Sequence, residues 1–568
     1  MHPSDTTKWK LISVAGLKVC PVKPRHQPPR YLRPRARIHF CLTRLLWSSG
    51  FAFGLWGAIA LPSRPAETLR VSWADTNLDL PVSVLENFQR TGRFDRGFGF
   101  LNVLVPEATL KEARTALSAR LPLSPEVLRP VLTNTDTLEI FLQQIGSLIR
   151  PQPGESGAAA LRQALLTASE QPQGLTLIGL IKAFPGPLMQ LDLDTGLKLF
   201  QRIRALEAET GAMLRAIAAQ MQEQPSLPSR NFRPAQRGPY TVRQQNWDWV
   251  DSDRTRRVPT TIYWPDRQGL SLPVVIISHG LGEDRGNFAY LAQFLASHGF
   301  VVVLPEHVGS SSRQFASAAA GFANPPGPQE AIDRPQDIRF VLDRLMLEPQ
   351  WRFRVNTRRV AVLGHSYGGF TALMLAGAVI EPEKIRAACS SVERLMLVPS
   401  ASLQCSLGRL PRDRYDLRDP RVVAVLPISP FASKVFEPAA LNQVQTPTLL
   451  WSGSADLIVP TLAEAIQPFQ RLGSPNKHLV VAVNATHFSV LGESQGPATR
   501  LPPALLGPSP ELGRRALQQV SLSFLQTYLL GQSQARVGLT AAAAEQLSNP
   551  VMPLLFSEQL PPAIARQN

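Results

Sequence analysis

The second half of the chain is punctuated by short, unbroken apolar runs: LPVVIIS (272–278), FVVVLP (300–305), RVAVLG (359–364), RVVAVLP (421–427), TPTLLWSG (446–453) and HLVVAV (478–483). None alternates apolar with polar positions, as a strand with one wet face would. Continuous runs of this kind mark parallel strands covered on both faces, and the helical patterns between them supply the covers. Residues 240–535 are therefore predicted to form an α/β domain with a largely parallel central sheet. The first half reads differently. Residues 67–223 are dominated by helical spacing, most clearly over GLKLFQRIRALEAETGAMLRAIAAQM (196–221), and contain no histidine. They are predicted to be a mostly α-helical domain, of unassigned role, with no obvious acid-base group for chemistry near neutral pH. Between the halves, QPSLPSRNFRPAQRGP (224–239) has no apolar period and is dense in proline and arginine. It reads as a linker across which the second half is separable. Residues 536–568 read as a C-terminal tail.

One apolar run ends in a corner. RVAVL passes into Gly364-His365-Ser366-Tyr367-Gly368-Gly369 and then into a helical pattern. A G-x-S-x-G match alone is weak, but strand, turn and helix are the setting that a nucleophile elbow requires. Gly364 and Gly368 answer to the sharpness of such a turn, and Ser366 would stand exposed above the sheet beside a helix N-terminus. Serine needs a base, and the base needs an orienting acid. Asp456, in SGSADLIVP, and His487, in NATHFSVL, each follow a strand-like run and come in the order serine, acid, histidine. The expected oxyanion donors are the backbone N–H of Tyr367, next after the nucleophile, and that of Leu281 in the HGLG loop after LPVVIIS. His279 is expected to support that loop.

Charge and cysteines bear on location. The net charge of +16 is concentrated in residues 1–66, where eleven lysines and arginines face a single aspartate. The basic excess belongs to a leader and gives no reason to expect a nucleic-acid partner. The leader also holds an uncharged apolar stretch, LLWSSGFAFGLWGAIAL (45–61), with an A-x-A sequence near its end. Residues 1–66 are expected to be an export signal or a membrane anchor, which makes the protein exported or membrane-associated. Cys389 and Cys405 stand 16 residues apart in the catalytic half. In an oxidising compartment they would pair; otherwise they are two unrelated thiols. Their spacing fits no zinc pattern, and no metal is expected.

The sequence SHGLGEDRGNFAYLAQFLASHGFVVVLPEHVGSSS, followed by GHSYGG, resembles the platelet-activating-factor acetylhydrolase (isoform II) and dienelactone-hydrolase branches of the α/β-hydrolases. It is also similar to a group of exported bacterial hydrolases with a helical N-terminal extension. The resemblance implies serine esterase or lipase activity on carboxylic esters, lipid acyl esters among them, without cofactor. One position departs from the acetylhydrolases, whose acid follows the strand nearer the serine; here that strand ends VLPISPFAS, with no carboxylate. Two other readings stand beside the esterase: a peptidase on the same fold, and a binding or scaffold protein with a degenerate hydrolase domain. Two long segments, 308–337 and 387–420, are candidates to shape the substrate site. Within the second, LMLVPSASLQCSL (395–407) suits either an acyl pocket or buried structure.

Overall fold

A computed structural model describes residues 65–561 apart from 74–75, 96, 121–124, 126–141, 144, 153–154, 224–231, 235, 268–270, 321, 391–397, 399, 497–505 and 508–509. The apolar stretch at 45–61 lies outside the described residues. No described helix is long and apolar enough to cross a membrane.

The second half is built on a nine-stranded sheet in the order β13-β12-β11-β10-β9-β7-β8-β6-β5. Its centre is β7 (Leu272–Ser278), β8 (Val301–Pro305), β9 (Val355–His365), β10 (Val422–Ile428), β11 (Thr448–Gly453) and β12 (Lys477–Ala482). All six run parallel. β5 (Val242–Asp251), β6 (Arg256–Pro265) and β13 (Leu554–Ser557) close the edges antiparallel. The unbroken apolar runs have a direct structural cause. Val274, Ile276, Val360 and Val362 bury in one core, while Val275, Ile277, Ala361 and Leu363 bury in another on the opposite face. Each strand thus needs apolar side chains at every position.

β7 pairs with β8 on one side and β9 on the other. The chain reverses its direction of travel across the sheet between β7 and β9, the position where open α/β sheets form their functional crevice. The loop after β7 and the corner after β9 both open there.

Residues 65–192 hold, with their helices, a small sheet that periodicity did not reveal. It consists of β1 (Thr68–Trp73), β2 (Thr76–Pro81), β3 (Ile149–Arg150) and β4 (Leu188–Asp192), in the order β2-β1-β4-β3. Phe88, Leu161 and Phe184 fill its own core. The helix Leu193–Glu223 follows β4 directly, and its second half leaves that core: Met213 and Ile217 are buried in the same cluster as Val274 and Val360. The N–H of Phe556 in β13 also donates to Met221 Sδ at 3.0 Å.

Two expected boundaries change accordingly. The described end of the 224–239 segment is fastened to the second half, with the Gly238 N–H donating to Ser297 Oγ at 2.8 Å and the Gln236 carbonyl accepting from His298 Nε2 at 3.0 Å. Residues 536–561 are no tail, because β13 pairs with β12 from Leu479↔Ser557 to Ala482↔Leu554 and covers an otherwise open edge.

Cys389 and Cys405 are joined by a disulfide with Cα atoms 5.8 Å apart. It closes the insertion at 387–420, whose Val398 and Ala401 are buried beside the two cysteines. The described part of LMLVPSASLQCSL is thus buried structure. Reduction is expected to lower stability by about 3 kcal/mol, as for other loops of this length. Urea unfolding with and without reductant measures it, and coincident curves would count against a stabilising bridge.

Candidate active site

The corner after β9 is forced by contact distances. A Cβ on Gly364 would sit 2.0 Å from the Gly368 carbonyl oxygen, and one on Gly368 would sit 2.0 Å from the Ser278 carbonyl oxygen of β7. No side chain fits at either position. Ser366 between them holds φ at 53° and ψ at −112°, a conformation that costs a non-glycine residue about 1–3 kcal/mol and persists only where its surroundings impose it. The Ser366 N–H donating to the Ile428 carbonyl of β10 at 2.8 Å is part of that imposition. Immediately afterwards the helix Tyr367–Leu375 begins, with no side-chain cap.

Asp456 lies in the turn after β11. Its Oδ1 accepts from the N–H groups of Ile458 and Val459, both at 2.9 Å, which leaves Oδ2 to accept from His487 Nδ1 at 2.7 Å. Both residues are buried. With Nδ1 donating to the carboxylate, a neutral His487 carries its lone pair on Nε2. The ring lies 4.7 Å, centroid to centroid, from that of His365, the neighbour of Ser366. The structure therefore brings Ser366, Asp456 and His487 to one end of the sheet.

Leu281 sits between two amides that are already engaged. The Gly280 N–H donates to Glu283 Oε2 at 2.7 Å and the Gly282 N–H to the Ser310 carbonyl at 2.8 Å. The N–H groups of Leu281 and Tyr367 make no hydrogen bond to another described residue. His279 has the supporting place expected of it: Nδ1 donates to the Gly280 carbonyl at 2.7 Å and Nε2 accepts from the His307 N–H at 3.0 Å. Burial, reinforced by nearby Arg334, holds it neutral, far below the ordinary imidazole range.

Sequence reasoning missed the side chains that join these loops. His365 Nδ1 donates to Glu283 Oε1 at 2.6 Å, and its Nε2 donates to the His487 carbonyl at 2.9 Å. A carboxylate and a carbonyl only accept, so His365 carries both protons and is a cation. Burial works against the charge, but Glu283 outweighs it and raises the His365 pKa; Glu283 is lowered in turn, its burial outweighed by His365. One buried ion pair thus braces the loop of Leu281, through the Gly280 N–H, and the loop of His487, through its carbonyl.

Arg334 forms a second brace. Fully buried, it donates to the His279 carbonyl and, at 2.7 Å, to Ser310 Oγ, while its guanidinium lies 4.7 Å from the centre of the Tyr367 ring. Burial presses its pKa down to about 10 against the pull of Glu330. The only signals in the sequence were an Asp/Glu-rich HGLGED and the histidine inside GHS.

The insertion at 387–420 also reaches the acid. The Ser400 N–H donates to the Ile458 carbonyl at 3.0 Å, two residues from Asp456. Gln404 Nε2 donates to Glu464 Oε1 at 2.7 Å, and Glu464 Oε2 accepts from the Ala432 and Ser433 N–H groups at 2.6 and 2.8 Å. A carboxylate does therefore occupy the loop after β10, brought from elsewhere in the chain, and it holds backbone. Leu457, beside Asp456, stands exposed. Among the described residues no group of three His, Cys, Asp or Glu side chains is arranged to hold a metal ion.

Residues 274–499 match the model of the alpha/beta hydrolase family, and residues 65–192 match that of an alpha/beta hydrolase family of unknown function. The second half of the chain has the α/β-hydrolase fold. The chain is 30% identical to the platelet-activating factor acetylhydrolase of Canis lupus familiaris over 167 residues, 23% of this chain and 37% of that protein. The guinea-pig (Cavia porcellus) acetylhydrolase is 26% identical over 154 residues, 21% of this chain and 34% of that protein. Cutinase est1 of Thermobifida alba is 23% identical over 282 residues, 48% of this chain and 72% of the cutinase. The chain thus spans about a third of the length of the acetylhydrolases it matches.

The Glu283–His365 pair yields a prediction of definite sign. A raised histidine pKa contributes stability in full below the ordinary value of about 6.5, and loses it as pH rises through the raised value. A lowered glutamate pKa contributes in full above about 4.3, and loses it as pH falls through the lowered value. Glu283→Gln should therefore cost most stability between these limits, about 3 kcal/mol by analogy with other broken buried pairs. The deficit should shrink above the His365 pKa. Urea unfolding across a pH series reads it, and a deficit that grew on the alkaline side would contradict the charged pair. Glutamine offers one acceptor oxygen where glutamate offers two, so either the Gly280 N–H or His365 Nδ1 loses its partner, and turnover should also slow by about tenfold, ~1.4 kcal/mol of transition-state stabilisation.

Proposed function

We propose that this chain is a serine hydrolase of carboxylic esters. The observation that carries the reading is the hydrogen-bonded His487–Asp456 pair at the same end of the sheet as the strained corner of Ser366, its ring 4.7 Å from that of His365 beside the serine. His487 Nε2 takes the Ser366 hydroxyl proton as Oγ attacks the acyl carbon, and Asp456 fixes the tautomer and stabilises the imidazolium. Negative charge developing on the carbonyl oxygen is met by the N–H groups of Tyr367 and Leu281, aided by the helix that begins at Tyr367. His487 then returns the proton to the leaving alcohol. Water, deprotonated by the same histidine, releases the acid from the acyl-enzyme.

Kinship with cutinases and acetylhydrolases supports the ester class, and the exposed Leu457 at the rim suits an apolar acyl chain. The Cys389–Cys405 bridge favours an oxidising compartment, and the apolar leader at 45–61 supports an exported or membrane-anchored enzyme. Full-length protein assayed on p-nitrophenyl esters of graded chain length and on peptide anilides tests the reading. Esters should be turned over and anilides not. Cleavage of anilides at comparable rates would make it a peptidase, and inertness towards both would leave a binding protein.

A further inference from the structure

Away from the catalytic residues, a cavity of about 860 Å³ opens between the β5–β6 hairpin and residues 306–317. That size suits a small organic ligand. Five arginines line it, Arg254, Arg256, Arg257, Arg285 and Arg313, against three carboxylates, Asp248, Glu306 and Asp333. Three of the arginines are committed. Arg254 holds Asp251 at 2.6 Å, Arg256 holds Asp337 at 2.9 Å and Glu330 at 3.0 Å, and Arg257 holds Asp248.

The other two are not. Arg285 has one long contact, Nε to Glu306 Oε2 at 3.4 Å, and its Nη1 is buried with no hydrogen-bond partner among the described residues. Arg313 is exposed on the lining and makes no ion pair with a described residue. A third donor on the same lining is also orphaned: Trp247 Nε1 is buried without a partner. Buried donors are seldom left unmet, and two in one cavity call for an acceptor. Glu306 does not fill that role, because it meets only Nε of Arg285, at 3.4 Å, and reaches neither Arg285 Nη1 nor Trp247 Nε1. The indole of Trp247, Pro259 and Val308 give the same cavity an apolar wall.

We infer that the cavity binds an amphipathic organic anion, a carboxylate or phosphate head on an apolar body. Arg285 and Arg313 take the head, and Trp247 both donates to it and packs on the body. A guanidinium pair suits either head group. The site adjoins the oxyanion loop without sharing its residues: Ser311 of the lining is bridged to Glu283, and the Ser312 N–H donates to the Glu283 carbonyl at 2.8 Å.

Isothermal titration of the full-length protein with octanoate, octyl phosphate, octanol and inorganic phosphate tests this, in the wild type and in Arg285→Gln and Arg313→Gln. Saturable binding of octanoate or octyl phosphate is expected, weakened at least about tenfold in each variant, a loss of ~1.4 kcal/mol. Octanol and inorganic phosphate should each bind at least about tenfold more weakly than the better amphiphile. Tighter binding of octyl phosphate assigns a phosphate head, and tighter binding of octanoate a carboxylate. The inference is overturned if neither amphiphile binds, if octanol or inorganic phosphate binds as tightly, or if both variants bind as the wild type does. Arg313 is exposed and unpaired, so its variant keeps the fold even if loss of Arg285 beside Glu306 does not. Hydrolysis of p-nitrophenyl acetate should be unchanged in Arg313→Gln, so failure of the binding site and failure of the catalytic reading remain distinguishable.

Discussion

Ser366→Ala is expected to lose ester hydrolysis by about 10⁴- to 10⁶-fold, with the fold intact. The size of the effect follows from the removal of the attacking atom. What remains, the two unengaged N–H groups and the His487–Asp456 pair, orients and polarises a substrate but has no serine oxygen to offer it. The fold survives because the corner is dictated by Gly364, Gly368 and the Ser366 N–H, none of which the substitution alters. Alanine inherits the same backbone conformation and the same strain. A fluorophosphonate probe should label the wild type at Ser366 and leave the variant unlabelled, with matching circular dichroism spectra. Undiminished labelling or turnover in Ser366→Ala would remove the serine from the mechanism.

A chain beginning at residue 231 is expected to be insoluble or to unfold far below the full-length protein. The linker-like sequence of 224–239 argues for the opposite, a separable catalytic half. The difference lies in where the helix Leu193–Glu223 places its apolar stripe. Met213 and Ile217 are almost wholly buried in the core beneath β7 and β9, and Met221 meets the edge strand β13. Removing such side chains costs about 2–5 kcal/mol each. Two of them approach the total stability of an ordinary domain, about 5–15 kcal/mol, and the vacated face would expose apolar surface. Thermal unfolding of soluble full-length and truncated proteins checks this. Equal midpoints would show that the helix is dispensable and that the halves are independent.

The parallel sheet was legible in the sequence because its physical cause is local. A strand buried on both faces writes an unbroken apolar run, and β7 to β12 all do so. The corner at Ser366 was legible for a related reason, since its glycines are demanded by atoms within four residues or by the adjacent strand. Asp456 and His487 could be found because each follows a readable strand. What escaped notice depends on partners far along the chain. Glu283 looks like any loop acid until His365, 82 residues away, is placed beside it. β13 is a four-residue run that declares itself only by pairing with β12. The small sheet of β1 to β4 joins Thr68 to Leu188 across a stretch of helices. The linker misled because proline and arginine report what a segment does with its own backbone, and nothing about whether the elements on either side touch.

The cation at His365 also constrains how this site can change over generations. A neutral or apolar residue there strands the Glu283 carboxylate in the interior, and loss of Glu283 strands the imidazolium, so each single substitution passes through a damaged protein. A joint replacement by well-packed apolar residues carries no such charge penalty. It does surrender the bonds to the Gly280 N–H and the His487 carbonyl. Positions 283 and 365 should therefore drift as a pair or not at all. Lineages that exchanged the pair for apolar packing should have recruited another acceptor for Gly280, or have abandoned the chemistry.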